Sequence, residues 1–170
     1  MALVAMAKDY NIVDYGAKSD TAVLSTAAIQ QAIDACSAAG GGRVVVPAGM
    51  FKTGTLVLRS HVNLYLETGA TLYGSTRLED YRPMKTDYVS LRTQTSTIQL
   101  IYADGAEDVS ISGRGTIDGR GRVFRKLTWN DEGITRPHLL RFILCRDITV
   151  EDVTLRNSGC WMQHYLACDR

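Results

Sequence analysis

From Val44 onward the chain reads as short apolar, β-branched runs separated by Gly, Asn, Asp or Ser. The runs are Val44–Val46, Leu56–Leu58, Val62–Leu66, Ala70–Leu72, Ile98–Tyr102, Val109–Ile111, Leu139–Leu144, Ile148–Val150 and Val153–Leu155. Such residues suit a pleated surface, and runs this short between turn formers are the pattern of strands. One helix precedes them. Ile29, Ile33 and Cys36 share a face at helical spacing, Ser25 or Thr26 is placed to cap the start, and Gly40-Gly41-Gly42 ends it. The Ala-rich remainder of Thr26–Ala38 also favours helix. No second amphipathic helix alternates with the strands, which argues against a doubly wound α/β sheet. The expectation is an all-β architecture with one accessory helix.

Self-similarity selects among all-β folds. Cys145-Arg146-Asp147 returns, with its last two residues exchanged, as Cys168-Asp169-Arg170, an offset of 168 − 145 = 23. Asp108-Val109-Ser110-Ile111 is echoed by Asp147-Ile148-Thr149-Val150 at 147 − 108 = 39, and Val62-Asn63-Leu64 is a weaker third copy. A period in the low twenties with short strands is that of stacked solenoid coils. The longer offset places an insertion at Gly119–Arg136, and Ser75–Thr97 is a second polar insertion. A leucine-rich repeat would need regularly spaced Leu and Asn, which are missing. The reading is a parallel β-helix, a single domain over residues 1–170, with inward Val, Ile and Leu stacked in ladders. The first coil of such a solenoid needs a lid over its open apolar end. Thr26–Ala38 is placed to supply it through Ile29 and Ile33. Nothing equivalent closes the other end, and a further strand is due after Arg170, so further coils are expected beyond it.

Composition and charge narrow the picture only a little. At 45% hydrophobic residues, 170 residues suffice for a real core. A net charge of +1 argues against nucleic acid as a partner. No apolar run reaches the roughly 18–20 residues of a membrane span, so no membrane partner is expected. Met1–Ala7 is apolar but short and lacks preceding cations, so no export signal is read; this favours a cytoplasmic location, with a secreted or periplasmic one open if a signal peptide has been removed. Cys36, Cys145, Cys160 and Cys168 show neither CxxC nor a Cys-His metal spacing. Free thiols are expected over a disulfide, with no metal and no cofactor.

Several segments together resemble the polygalacturonase family, glycoside hydrolase family 28. Asp14–Lys18, Ala28–Asp34 and Gly40–Gly49 are similar to the entry segment shared by pectin-acting β-helices and phage tailspikes. Gly54–Ser60, Leu66–Leu72 and Gly113-Arg114-Gly115-Thr116-Ile117-Asp118-Gly119 narrow the match. The most specific resemblance is Arg136-Pro137-His138-Leu139-Leu140 followed by Asn157–His164, which looks like the family's segment ending in Trp-x-x-His. The resemblance implies a right-handed parallel β-helix (a pectin-lyase-like solenoid) with an N-terminal capping helix. It also implies hydrolysis of galacturonan or a related pectic polysaccharide with inversion. The family's Asn-x-Asp, Asp-Asp, Gly-His-Gly and Arg-x-Lys segments are all missing, so no catalytic residue is carried over. They are expected beyond the Trp-x-x-His segment, and the 170-residue chain by itself is expected to be inactive.

Inverting hydrolysis needs one carboxylic acid and one carboxylate roughly 6.5–9.5 Å apart. Stacked coils about 4.8 Å apart can present side chains at such separations along a groove. Within this chain, Trp161 and His164 are the candidate substrate contacts, an aromatic face for a sugar and an imidazole for a hydroxyl or carboxylate. Each also suits a purely structural role. Gln163, between them, is expected to point the other way and to be buried. Basic residues also accumulate: Arg114, Arg120, Arg122, Arg125, Lys126, Arg136, Arg141 and Arg146 against Asp118, Asp131 and Glu132, eight minus three or +5. Such a stretch can steer a polyanion, and Arg136 is the third candidate contact; a solvated loop would look the same. Two other readings stand beside the hydrolase. One is a non-catalytic β-helix module that binds polysaccharide or organises a surface. The other is a pectate-lyase relative, which would need clustered carboxylates for Ca²⁺.

Overall fold

The computed structural model describes residues 8–88, 97–127 and 136–170. Met1–Ala7 and parts of both polar insertions lie outside them. The described elements run β1 (Asp9–Asn11), α1 (Thr26–Ala38), β2 (Gly42–Val46), β3 (Gly49–Thr53), β4 (Leu56–Val57), β5 (Val62–Leu66), β6 (Ala70–Gly74) and β7 (Gln99–Asp104). They continue with β8 (Glu107–Gly113), β9 (Thr116–Asp118), β10 (His138–Ile143), β11 (Arg146–Val150), β12 (Thr154–Arg156) and β13 (Gln163–Leu166).

Three sheets result, with strand orders β1-β2-β5-β8-β11, β3-β6-β9-β12 and β4-β7-β10-β13. Every named pairing is parallel. Each coil gives one strand to each sheet in turn, so the described residues make four coils of a right-handed parallel β-helix. The repeated strings occupy equivalent places on neighbouring coils. Arg146 stands beside Asp169, an offset of 169 − 146 = 23, and Ile148 beside Val109, an offset of 148 − 109 = 39. Both polar insertions fall at one corner, between β6 and β7 and between β9 and β10.

Inward side chains stack into columns. Val44, Leu64, Ile111 and Val150 lie in register through the first sheet, and Phe51, Leu72, Ile117 and Leu155 through the second. In the third, Leu56, Ile101 and Leu140 continue the pattern. The helix closes the first coil as expected, with Ile29, Ala32, Ile33 and Cys36 buried in the same core. Its start differs from the expected cap. Ser25 holds the capping position, but its Oγ accepts from the Lys18 amide and donates to the Lys18 carbonyl. Thr26 Oγ1 accepts from the Gly54 amide at 2.7 Å, joining the lid to the corner after β3. All four cysteines are free, Cys36 and Cys145 buried and the other two half-buried.

Leu64 is fully buried between Val44 and Ile111. Leu64→Ala is expected to lower unfolding stability by about 2–5 kcal/mol through lost burial and the cavity left behind. The outward, exposed Thr149 should tolerate Ala within about 0.5 kcal/mol. Denaturant titration measures both, and equal effects would contradict the column arrangement.

Candidate functional site

The candidate site is built on β10 and β13 and on the corner before each. Arg141 lies beside His164 in the strand register, an offset of 164 − 141 = 23. The same offset relates His138 to Trp161 (161 − 138 = 23), and their rings meet edge to face at 5.4 Å. His138 also stacks on His164 at 5.5 Å, and Trp161 meets His164 edge-on at 4.7 Å. Strict strand alternation would separate His138 from Arg141. Here Leu139 and Leu140 both join the core, and their amides donate to the Trp161 and Met162 carbonyls in turn. That irregularity puts His138, Arg141 and His164 on one side of the strand.

The corner is held by Asp118, at the end of β9. This nearly buried carboxylate accepts from Arg156 Nε at 2.9 Å, Asn157 Nδ2 at 3.0 Å and the Arg120 amide at 2.9 Å. It thereby fixes the start of one corner against the start of the next. Gly121 lies against that second corner, its amide donating to the Asn157 carbonyl at 2.6 Å. A Cβ at Gly121 would lie 2.2 Å from the Ser158 carbonyl and the Gly159 amide, so only glycine permits the approach. Between these corners opens a cavity of about 520 Å³, whose lining includes Arg122, Arg125, Arg136, Ser158 and Trp161.

The three candidates therefore come together: Arg136 and Trp161 line one cavity, and His164 packs on Trp161. Trp161 is 45% exposed on the last described coil, whereas His164 is buried and, among the described residues, its Nδ1 has no hydrogen-bond partner. The basic stretch disperses. Arg120 lies over the Tyr73 ring at 4.3 Å, Arg141 is buried on β10 and Arg146 pairs with Glu107 at 2.9 Å, while three of the eight, Arg122, Arg125 and Arg136, line the cavity. Gln163 does point away from His164, but it is exposed, accepting from the Tyr165 hydroxyl at 2.7 Å. Its coil has a described neighbour on one side only. Asp131 and Glu132, counted with the basic stretch, lie outside the described residues. Among the described residues no group of three or more metal-ligating side chains stands together.

Electrostatics set the protonation of the pair of histidines. His138 is 2% exposed and, among the described residues, neither ring nitrogen has a hydrogen-bond partner. Burial, with the Arg141 charge and His164 adding to it, pushes its pKa down to about 3. Burial and Arg141 lower His164 as well. Both rings are therefore neutral at pH 7, and a neutral imidazole has one acceptor and one donor nitrogen. Sequence reasoning passed over His138 and Arg141. The signal was available, because the offset of 23 read from the cysteine turns applies equally to the strands before them.

The profile described as "Glycosyl hydrolases family 28" matches residues 36–169. The chain belongs to this family. An exo-poly-alpha-D-galacturonosidase of Dickeya chrysanthemi is 44% identical over 124 residues, covering 69% of this chain and 20% of that protein. The solved family 28 exopolygalacturonase of Yersinia enterocolitica superposes with a TM-score of 0.79 at 25% identity, covering 96% of this chain and 37% of that one. A hyperthermoactive exopolygalacturonase of Thermotoga maritima gives 0.78 at 25% identity, covering 95% and 44%. The chain thus spans less than half the length of these family 28 relatives. The matched region contains the whole cluster from His138 to His164.

In this family 28 chain the buried neutral histidines link stability to pH. The unfolded ring protonates near 6.5, the folded His138 ring only near 3. Between those values the unfolded state binds more protons, so stability falls as pH drops below 6.5, by up to about 1.4 kcal/mol per pH unit for each such ring. Replacing the ring in His138→Phe is expected to flatten this slope between pH 6 and 4.5. Denaturation midpoints at several pH values measure it, and an unchanged slope would contradict the assignment.

Proposed function

We propose that these coils form one end of the substrate groove of a glycosidase that hydrolyses pectic, galacturonan-type chains with inversion. In this reading the two catalytic carboxyl groups come from coils following residue 170. The observation that carries the reading is the exposed Trp161 ring beside a cavity walled by three guanidinium groups, Arg122, Arg125 and Arg136. A uronate presents an apolar sugar face and a carboxylate. An indole ring covers the first, and guanidinium forks pair with the second in bidentate fashion. His164, neutral beside Trp161, supplies a hydrogen bond to a hydroxyl. The names of the family 28 relatives, each a galacturonan exohydrolase, support the same polymer.

The coil spacing suits the chemistry. A proton donor and a water-activating carboxylate on coils next to Trp161 would stand within the separation that inversion requires. None of the family's catalytic segments lies within residues 1–170. The chain therefore serves binding and positioning, and the bond is cleaved by residues that follow.

The purified 170-residue chain is expected to bind oligogalacturonate while releasing no reducing ends from polygalacturonate. Trp161→Ala should weaken binding at least about tenfold, near 1.4 kcal/mol, and added salt should weaken it further because the carboxylate contacts are ionic. Calorimetric titration and a reducing-sugar assay measure these effects. Released reducing ends, or binding indifferent to Trp161, would overturn the assignment.

A further inference from the structure

The turn that follows each strand of the third sheet repeats its backbone on three successive coils. Gly105, Leu144 and Ala167 come directly after β7, β10 and β13, and all three take a positive φ, of 63°, 52° and 52°. Ala106, Cys145 and Cys168 come next. The Arg146 amide donates to the Ala106 carbonyl at 2.9 Å and the Asp169 amide to the Cys145 carbonyl at 3.0 Å, so the three residues form one column, a coil apart. Two of the four cysteines therefore stand one above the other. Cys36 sits in α1, and Cys160 lines the cavity beside Trp161.

Both thiols point inward. Cys145 is buried in the core, and Cys168, half-buried on the last described coil, packs against it. Their sulfurs also sit alike. Cys145 Sγ lies 3.2 Å from the Ile143 carbonyl oxygen and Cys168 Sγ 3.6 Å from that of Leu166, and Ile143 and Leu166 are register partners. Cys168 Sγ is also 3.4 Å from the Phe142 carbonyl oxygen, on the preceding coil. Stacked strands are about 4.8 Å apart, within the roughly 4.4–6.8 Å that separates the Cα atoms of bridged cysteines. Side chains leaving the column in one direction meet the second geometric condition for a bridge. Burial pushes the Cys145 pKa up, and the Cys168 sulfur is close enough to add to the effect.

We propose that Cys145 and Cys168 are a dithiol pair that closes to a disulfide under oxidising conditions and locks the fourth coil onto the third. The bridge turns one complete coil into a covalent ring, and Trp161 and His164 lie inside it. The oxidant is a small-molecule disulfide such as oxidised glutathione. Cys168, the less buried thiol, gives up its proton and attacks one sulfur of the oxidant; that S–S bond breaks and a small thiolate leaves. Cys145 then gives up its proton and attacks the Cys168 sulfur of the mixed disulfide, releasing the second small thiolate. The protons pass to the departing thiolates, so the pair loses the two electrons that reduce the oxidant to two thiols. Only the first attack needs access from solvent; the second joins stacked neighbours and suits the buried Cys145. Closing the ring removes freedom from the unfolded chain and so raises stability. The bridge stands independently of the pectic reading.

Equilibrating the purified 170-residue chain with oxidised and reduced glutathione, then recording its mass without reduction, tests this. The expected product has lost one hydrogen from each thiol of the pair. Peptide mapping should join the Cys145 peptide to the Cys168 peptide and leave Cys36 and Cys160 as thiols. Its thermal midpoint should lie roughly 6–12 °C above that of the reduced chain and fall back when dithiothreitol is added. Cys168→Ala should abolish both the mass loss and the redox-dependent shift, whereas Cys160→Ala should keep both. If Cys168→Ala does not fold, the wild-type peptide map still decides. A chain that keeps all four thiols, a stable glutathione adduct on Cys168, or a bridge to Cys160 would overturn the proposal. A bridged chain that melts no higher than the reduced one would overturn the lock.

Discussion

No coil of this chain can bury its own apolar side chains. Each closes its core only through the coils on either side, and the contact that matters is a residue stacking on its register partner one coil away. Val44, Leu64, Ile111 and Val150 form one such column, and Phe51, Leu72, Ile117 and Leu155 another. Two consequences follow. The first coil has to be covered, which α1 does with Ile29 and Ile33. Any residue on the outward face also acquires fixed neighbours, because a slip of one position would reverse every side chain in the strand.

The site inherits its order from that register. The pairing that sets Leu140 beside Gln163 also sets Arg141 beside His164, and it carries His138 to Trp161. Asp118, gripped by Arg156 and Asn157 on the next coil, holds the corners where the cavity opens. Two neutral histidines, an exposed indole and arginines at a cavity are thus produced by coil stacking and need no mobile element to assemble them. Both insertions emerge from one corner, and Met84 and Tyr88 of the first pack on Val57, Tyr102 and Ile143 of the third sheet.

Much of this was legible in the residues. The recurring Cys145 and Cys168 turns lie on neighbouring coils, the helix spans Thr26–Ala38, and Trp161, His164 and Arg136 converge. Four strands escaped the pattern for local reasons. β1 and β13 carry few β-branched residues, β3 contains Gly49 and Lys52, and β9 has only three residues. Each is a strand because its neighbours offer a partner ladder, which propensity does not register. His138 and Arg141 were missed because two consecutive core leucines break strand alternation between them. Ser25 looked like a helix cap but spends its hydroxyl on Lys18, a partner seven residues earlier.

Fold and site both depend on the stacking of neighbouring coils. Methyl–methyl nuclear Overhauser contacts in selectively labelled protein measure it directly. Leu64 should show cross-peaks to Val44 and Ile111, and Ile111 to Val150, with the amide protons of β5, β8 and β11 in the parallel pattern. Absence of the Ile111–Val150 contact, or close Hα–Hα pairs diagnostic of antiparallel hairpins between consecutive strands, would contradict it.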